Sequence, residues 1–154
     1  MRRKDRAIND HSEIEAILGS SLICHLAMAD GAEPYVVPLS FAYADGSLYF
    51  HCASQGRKLD ILRKNPRVCF NILISSGDAV KAGDQPCDWG IAFRSVTGSG
   101  NAVFVEDAGE KKKALQAIVQ RFDSRDLPFN GHDFSVTTVL RVDIEQMEGK
   151  AANQ

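Results

Sequence analysis

The segment His51-Cys52-Ala53-Ser54-Gln55-Gly56-Arg57-Lys58-Leu59-Asp60 concentrates the residue types that bind an anion. Ser54 follows the end of a strand-like run, Gly56 permits a tight turn, and a helix is expected to begin near Arg57. Two cations in a first helical turn oppose the macrodipole, whose N-terminal end is already positive, at roughly a few tenths of a kcal/mol each. An anion seated against them offsets that cost. Free backbone N–H groups, the Ser54 hydroxyl and the Arg57 and Lys58 side chains would together make a phosphate site. The competing reading is a solvated helix start whose cations extend into water. The spacing carries neither a Walker-A nor a dinucleotide glycine pattern, so a phosphate held here would belong to a different kind of cofactor.

His51 lies near the end of the same strand, close in sequence to the expected anion. It could donate a hydrogen bond to a ligand, or it could be an ordinary half-buried strand histidine. His11, His25 and His132 are scattered, and a lone histidine in an apolar run, such as His25, reads as structural. No metal site is expected. Cys24, Cys52, Cys69 and Cys87 include no C-x-x-C pair and no histidine at zinc-finger spacing. The first three sit in apolar, strand-like runs as small reduced hydrophobes; Cys87, in a polar loop after Pro86, is the one expected at the surface. Asp45, Asp60, Asp88 and Asp107 fall at turns or helix ends, where capping accounts for them. Gly-x-Ser-x-Gly is absent, and Gly98-Ser99-Gly100 lacks the strand-to-helix setting of a nucleophile elbow, so hydrolytic chemistry finds no support.

The elements that must position these residues are mostly strands. Ser12-Glu13-Ile14-Glu15 reads as a capping box, opening a short helix that Gly19 should close. Leu22 to Ala29 and Tyr35 to Tyr43 read as strands, with hairpin signals at Asp30-Gly31 and Asp45-Gly46. Ser47 to Ala53 alternates Leu48, Phe50 and Cys52 against Tyr49, His51 and Ala53. A helix is expected over Lys58 to Lys64, stopped by Asn65-Pro66. A strand follows from Arg67 to Ser75, then a polar loop from Ser76 to Asp88 suited to a mobile flap. Trp89 to Val105 reads as one long strand or two, bent at Gly98 and Gly100. Asp107-x-x-Glu110 should cap a helix carrying Leu115, Ile118, Val119 and Phe122 on one face, and Val136 to Ile144 reads as the last strand. Tight turns between successive strands require antiparallel pairing. Six or so such strands with peripheral helices imply a mainly β fold, a small barrel or strongly coiled sheet, and not a doubly wound α/β fold.

The chain has 154 residues, one ordinary domain by length, and its 44% hydrophobic and 25% charged residues are close to the globular average. Eighteen Lys and Arg against twenty Asp and Glu leave a net charge of −2, without the basic excess of a dedicated nucleic-acid binder. No run approaches the roughly 20 apolar residues of a membrane-spanning helix, and no apolar secretory segment follows the basic Met1-Arg2-Arg3-Lys4-Asp5-Arg6. A single-domain, soluble, cytoplasmic protein is expected, with neither nucleic acid nor membrane as partner.

Phe50 to Asp60, followed by Leu62-Arg63-Lys64-Asn65-Pro66-Arg67-Val68-Cys69-Phe70, resembles the pyridoxamine 5′-phosphate oxidase-like FMN-binding superfamily, and within it the nitroimidazole-resistance (Nim-type) flavoproteins. The resemblance extends to Met1–Arg6, to Pro34-Tyr35-Val36-Val37-Pro38-Leu39-Ser40-Phe41, to Cys87-x-Trp89-Gly90 and to Phe93-Arg94-Ser95-Val96-x-Gly98-x-Gly100. It implies an antiparallel split β-barrel that forms a homodimer, with FMN in clefts between the subunits. By that likeness Ser54, Arg57 and Lys58 hold the FMN phosphate. Val37, Pro38 and Leu39 line the ring system, with His51 and Ala53 nearby. Ser95, Val96, Trp89 and Arg94 complete the site, some of them from the other subunit. His51 matches a histidine beside the flavin and is the catalytic candidate. Phe93 stands where the family often has Tyr, which removes one hydroxyl. The implied activity is an FMN-dependent oxidoreductase passing electrons from NAD(P)H to a small acceptor such as a nitroimidazole or another nitroaromatic. Two alternatives share the fold: a non-catalytic FMN-binding protein for flavin storage or stress, and a haem-binding split barrel with His51 or His25 as axial ligand.

Overall fold

Leu48 and Phe50 are fully buried while His51 and Ala53 face outward, so the period-two pattern of this strand is met in three dimensions. A computed structural model of the chain describes residues 3–81, 83–125, 128–129 and 136–152. A 3-10 turn (Lys4–Arg6) leads into β1 (Ala7–Ile8) and α1 (His11–Ser20). Next come β2 (Ile23–Asp30), β3 (Glu33–Ser40), β4 (Ala42–Ala44), β5 (Ser47–Ala53) and α2 (Arg57–Lys64). The rest of the chain forms β6 (Arg67–Lys81), a 3-10 turn (Pro86–Asp88), β7 (Trp89–Phe104), α3 (Ala108–Gln120) and β8 (Thr137–Ala152).

Among the described residues every ladder is antiparallel, and eight strands make a single sheet in the order β3-β2-β6-β7-β8-β5-β4, with β1 beside the far end of β8. Strands β3 and β4 stand at opposite ends of that path, yet only Phe41 separates them in the chain. The sheet must therefore coil until its ends meet. Phe41, fully buried and 6.4 Å from the Phe50 ring, plugs the closure. No ladder pairs β3 with β5 among the described residues, although the two strands approach each other. The barrel is mainly β, antiparallel and split along that seam. Its interior is filled by Leu26, Phe70, Ile72, Val96 and Leu140, with Ile17 and Leu18 of α1 covering one end.

Several boundaries differ from the sequence reading. The cap of α1 is Asp10, not Ser12: the Ser12 N–H donates to Asp10 Oδ1 at 2.8 Å, and the helix runs through Gly19 to Ser20. The expected strand Tyr35–Tyr43 is broken at Phe41, because the chain there crosses from one end of the sheet to the other. The first part of the expected loop 76–88 belongs to β6, which runs to Lys81, while 83–88 remain bend and 3-10 turn. Ala79, Val80 and Lys81 pair with Ile91, Gly90 and Trp89 after a register shift at Ser75/Ala79, where Gly77 takes φ +81°. Strand β8 continues to Ala152, since Gln146 to Ala152 pair with β7. Helix α3 ends at Gln120, and Phe122 beyond it is exposed instead of lying on the apolar face. Cys69, on the outer face of β6, is exposed as Cys87 is; only Cys24 is fully buried, and all four thiols are free. Burial pushes the Cys24 thiol up to about 12. The bend at the β7 glycines is present as a shift between Ser99 and Gly100. Among the described residues no helix is long and apolar enough to cross a membrane.

Candidate functional site

A groove of about 370 Å³ opens along the seam. Tyr35, Val37, Pro38 and Leu39 of β3 form one wall, Cys52 and Ala53 of β5 the other, and Gln55, Gly56, Arg57, Lys58 and Leu59 close one end. The seam explains its position. Among the described residues β4 pairs with Ser47, Leu48 and Tyr49 alone, so the second half of β5 has no described strand neighbour on that side, and β3 has none on its outer edge. Unpaired strand edges offer N–H and C=O groups to whatever enters.

The closed end is made by the start of α2. Helices α1 and α3 carry aspartate caps: Asp10 on α1, and Asp107 on α3, whose Oδ1 accepts the Glu110 N–H at 2.8 Å. Helix α2 begins instead at Gly56, with no side-chain cap and a φ of +137° that favours glycine. Its Gly56 carbonyl accepts from Leu59 N–H (2.9 Å) and Asp60 N–H (3.2 Å). The groove therefore ends on a positive helix terminus flanked by two cations, and among the described residues none of its lining side chains is acidic. The Arg57 guanidinium lies 4.6 Å from the centroid of the Tyr35 ring. Burial raises the Cys52 thiol above its ordinary range, while the neighbouring Lys58 ammonium pulls it partway back. Apolar walls with a cationic end suit a flat aromatic group carrying a phosphate tail.

A family model described as pyridoxamine 5′-phosphate oxidase matches residues 10–151. The chain belongs to the pyridoxamine 5′-phosphate oxidase family. One relative within reach of this family member, an uncharacterised protein of Rhizobium meliloti, is 30% identical over 66 residues, 42% of either chain. The match thus spans about two-fifths of that relative's length. Among solved structures, a candidate 5-nitroimidazole antibiotic resistance protein of Bacteroides thetaiotaomicron is similar with a TM-score of 0.82 and 29% identity, over 94% of this chain and 86% of the other. An FAD-binding protein of Mesorhizobium loti is similar with a TM-score of 0.71 and 25% identity, over 96% and 98% of the two chains.

Of the residues expected to bind a cofactor, the groove of this pyridoxamine 5′-phosphate oxidase family member gathers Val37, Pro38, Leu39, Ala53, Arg57 and Lys58. His51 and Ser54, both exposed, flank it: His51 is two residues from Ala53 on the same face of β5, and Ser54 lies in the bend before Gln55. Trp89, Arg94, Ser95 and Val96 are elsewhere in the same chain. They sit on β7, separated from β3 by β2 and β6 and from β5 by β8. Val96 is fully buried in the barrel core, so its side chain is a packing element. Ser95 is buried, Arg94 half-buried and Trp89 exposed. His25 is exposed on the outer face of β2, opposite Pro38 and Asn71, and His11 sits 3.7 Å from Glu15 at the start of α1. His132 lies outside the described residues.

The sequence reading missed Tyr35 and Cys52 as groove residues. Strand alternation held the signal for the first: if Val37 and Leu39 face the groove, so must Tyr35, two residues earlier.

Proposed function

We propose that this chain is an FMN-dependent oxidoreductase that acts as a cytoplasmic homodimer and reduces a small acceptor, a nitroaromatic such as a 5-nitroimidazole, with electrons from NAD(P)H. The observation that carries the proposal is the seam groove, apolar along its walls and ending on the uncapped, doubly cationic start of α2. Likeness to a candidate nitroimidazole-resistance protein and to an FAD-binding protein supports the same reading.

When bound, FMN would supply the hydride-transfer chemistry. The chain supplies the rest. Arg57, Lys58 and the first N–H groups of α2 would neutralise a phosphate of about two negative charges. Val37, Leu39 and Tyr35 would cover one face of the ring system and keep water from it. The unpaired edges of β3 and β5 would offer main-chain hydrogen bonds to its polar rim. An N–H of the exposed His51 imidazole would give a proton or hydrogen bond to the acceptor as it is reduced.

Trp89, Arg94, Ser95 and the main chain at Val96 would complete the pocket from a second copy, since within one chain they cannot reach the seam. Exposed Val36, Leu73, Trp89 and Ile91 give β3, β6 and β7 an apolar outer surface that a second copy would cover.

The test is the absorption spectrum of the purified chain after incubation with FMN, followed by NAD(P)H oxidation with and without a 5-nitroimidazole. Bound flavin and nitroimidazole-dependent turnover are expected. Bound flavin without turnover on any nitroaromatic would assign storage instead, and a Soret band in place of flavin bands would assign haem.

A further inference from the structure

Arg57 is held in a way that leaves its hydrogen-bonding edge open. Its guanidinium stacks over Tyr35 at 4.6 Å, and the contact joins the start of α2 to β3 across the groove. Among the described residues no carboxylate pairs with it. Asp60, in the same helical turn, is bonded by Arg63 at 3.1 Å instead. Arg3, Arg67, Arg125 and Arg141 each have an acidic partner. The difference matters because a guanidinium held over an aromatic ring by its charge commits none of its five N–H donors to a carboxylate. A carboxylate partner would occupy those donors. The Tyr35 ring is itself fixed, half-buried against the barrel core beside Val37 and Leu39. A flexible arginine loses rotamer freedom when a ligand immobilises it; one already stacked has lost much of it before the ligand arrives.

We propose that Tyr35 is a positioning residue that sets preference for a phosphorylated over an unphosphorylated ring ligand, by presenting Arg57 to the phosphate with its donors unspent. The inference rests on the phosphate-binding reading of the groove and adds a residue and a selectivity to it.

The test titrates FMN and riboflavin, which share a ring system and differ in the phosphate, into the full chain and into Tyr35→Phe and Tyr35→Leu. Tyr35→Leu should weaken FMN roughly two- to fivefold more than it weakens riboflavin, and Tyr35→Phe, which keeps the ring, should restore FMN affinity. Riboflavin serves as the control for folding: equal loss of both ligands in Tyr35→Leu would make Tyr35 a structural residue only and overturn the inference. So would unchanged FMN binding in Tyr35→Leu, or a Tyr35→Phe variant as weak as Tyr35→Leu. An unsubstituted chain that takes up FMN with a flat Tyr35 series refutes this inference alone; one that takes up neither ligand refutes the parent reading as well.

Discussion

Gly100 of β7 packs directly on the main-chain carbonyl of Asp143 in β8, so that a methyl group at position 100 would fall inside the oxygen's van der Waals envelope. The register between the two strands shifts at this point, Ser99 facing Gln146 and Gly100 facing Ile144. Gly98, two residues earlier, is roofed by the Phe70 ring and the Gln146 carbonyl. Glycine is required here for close approach, the φ of neither residue being positive.

Gly100→Ala should therefore destabilise the fold by about 1–3 kcal/mol or more, because backbone and not a movable side chain must give way. Chemical denaturation measures it. A midpoint like that of the unsubstituted chain would show that β7 and β8 can separate there at little cost.

Lys58→Ala should weaken FMN by about 1.5–3 kcal/mol through loss of a charge-assisted contact. Riboflavin affinity should change far less. Calorimetric titration of both flavins separates the outcomes, and an FMN affinity that does not move would take Lys58 out of the phosphate site.

His51→Ala should keep most of the FMN affinity and lose turnover, by about a hundredfold if the imidazole protonates the acceptor. The structure favours this separation, since His51 is exposed beside the groove and not part of its lining. Equal loss of binding and rate would assign it to binding.

Cys24 gives a prediction about alkali. Its folded thiol is raised to about 12 by burial, so the native chain keeps the proton that the unfolded chain releases from about pH 9 upward. Stability present in full below that pH is lost as pH rises toward 12, by about 4 kcal/mol in all. Denaturation midpoints across this range should fall less steeply in Cys24→Ala. A thiol reagent at neutral pH should label exposed Cys69 and Cys87 first and Cys24 only on unfolding. Rapid native-state labelling of Cys24, read by peptide mass, would contradict its placement in the core.

Local signals are strong wherever a few adjacent residues settle the outcome. Asp30-Gly31 and Asp45-Gly46 fix tight turns, and Gly31 (φ +63°), Asp45 (φ +51°) and Gly46 (φ +75°) take the left-handed conformations those turns need. The alternation of Ser47–Ala53 fixes one buried face, and Asn65-Pro66 stops α2. The cluster Gly56-Arg57-Lys58 announces an uncapped, cationic helix start because charge and backbone geometry are both local. Long pairing was harder to read. Residues 79–81 and 146–152 are weak strand formers by themselves, and they extend because a partner strand satisfies their backbone groups.

The amino-acid order alone thus determined the antiparallel class, the turns and the cationic helix start, since each follows from the chemistry of neighbours in the chain. Only the tertiary structure decided that β3 and β5, the two sides of an unclosed seam, would face each other and bring Tyr35 over Arg57. It also decided that Val96 would be spent on the core. The reason is that sheet closure depends on how eight strands coil together around Phe41, a property of the whole ladder that no single segment carries.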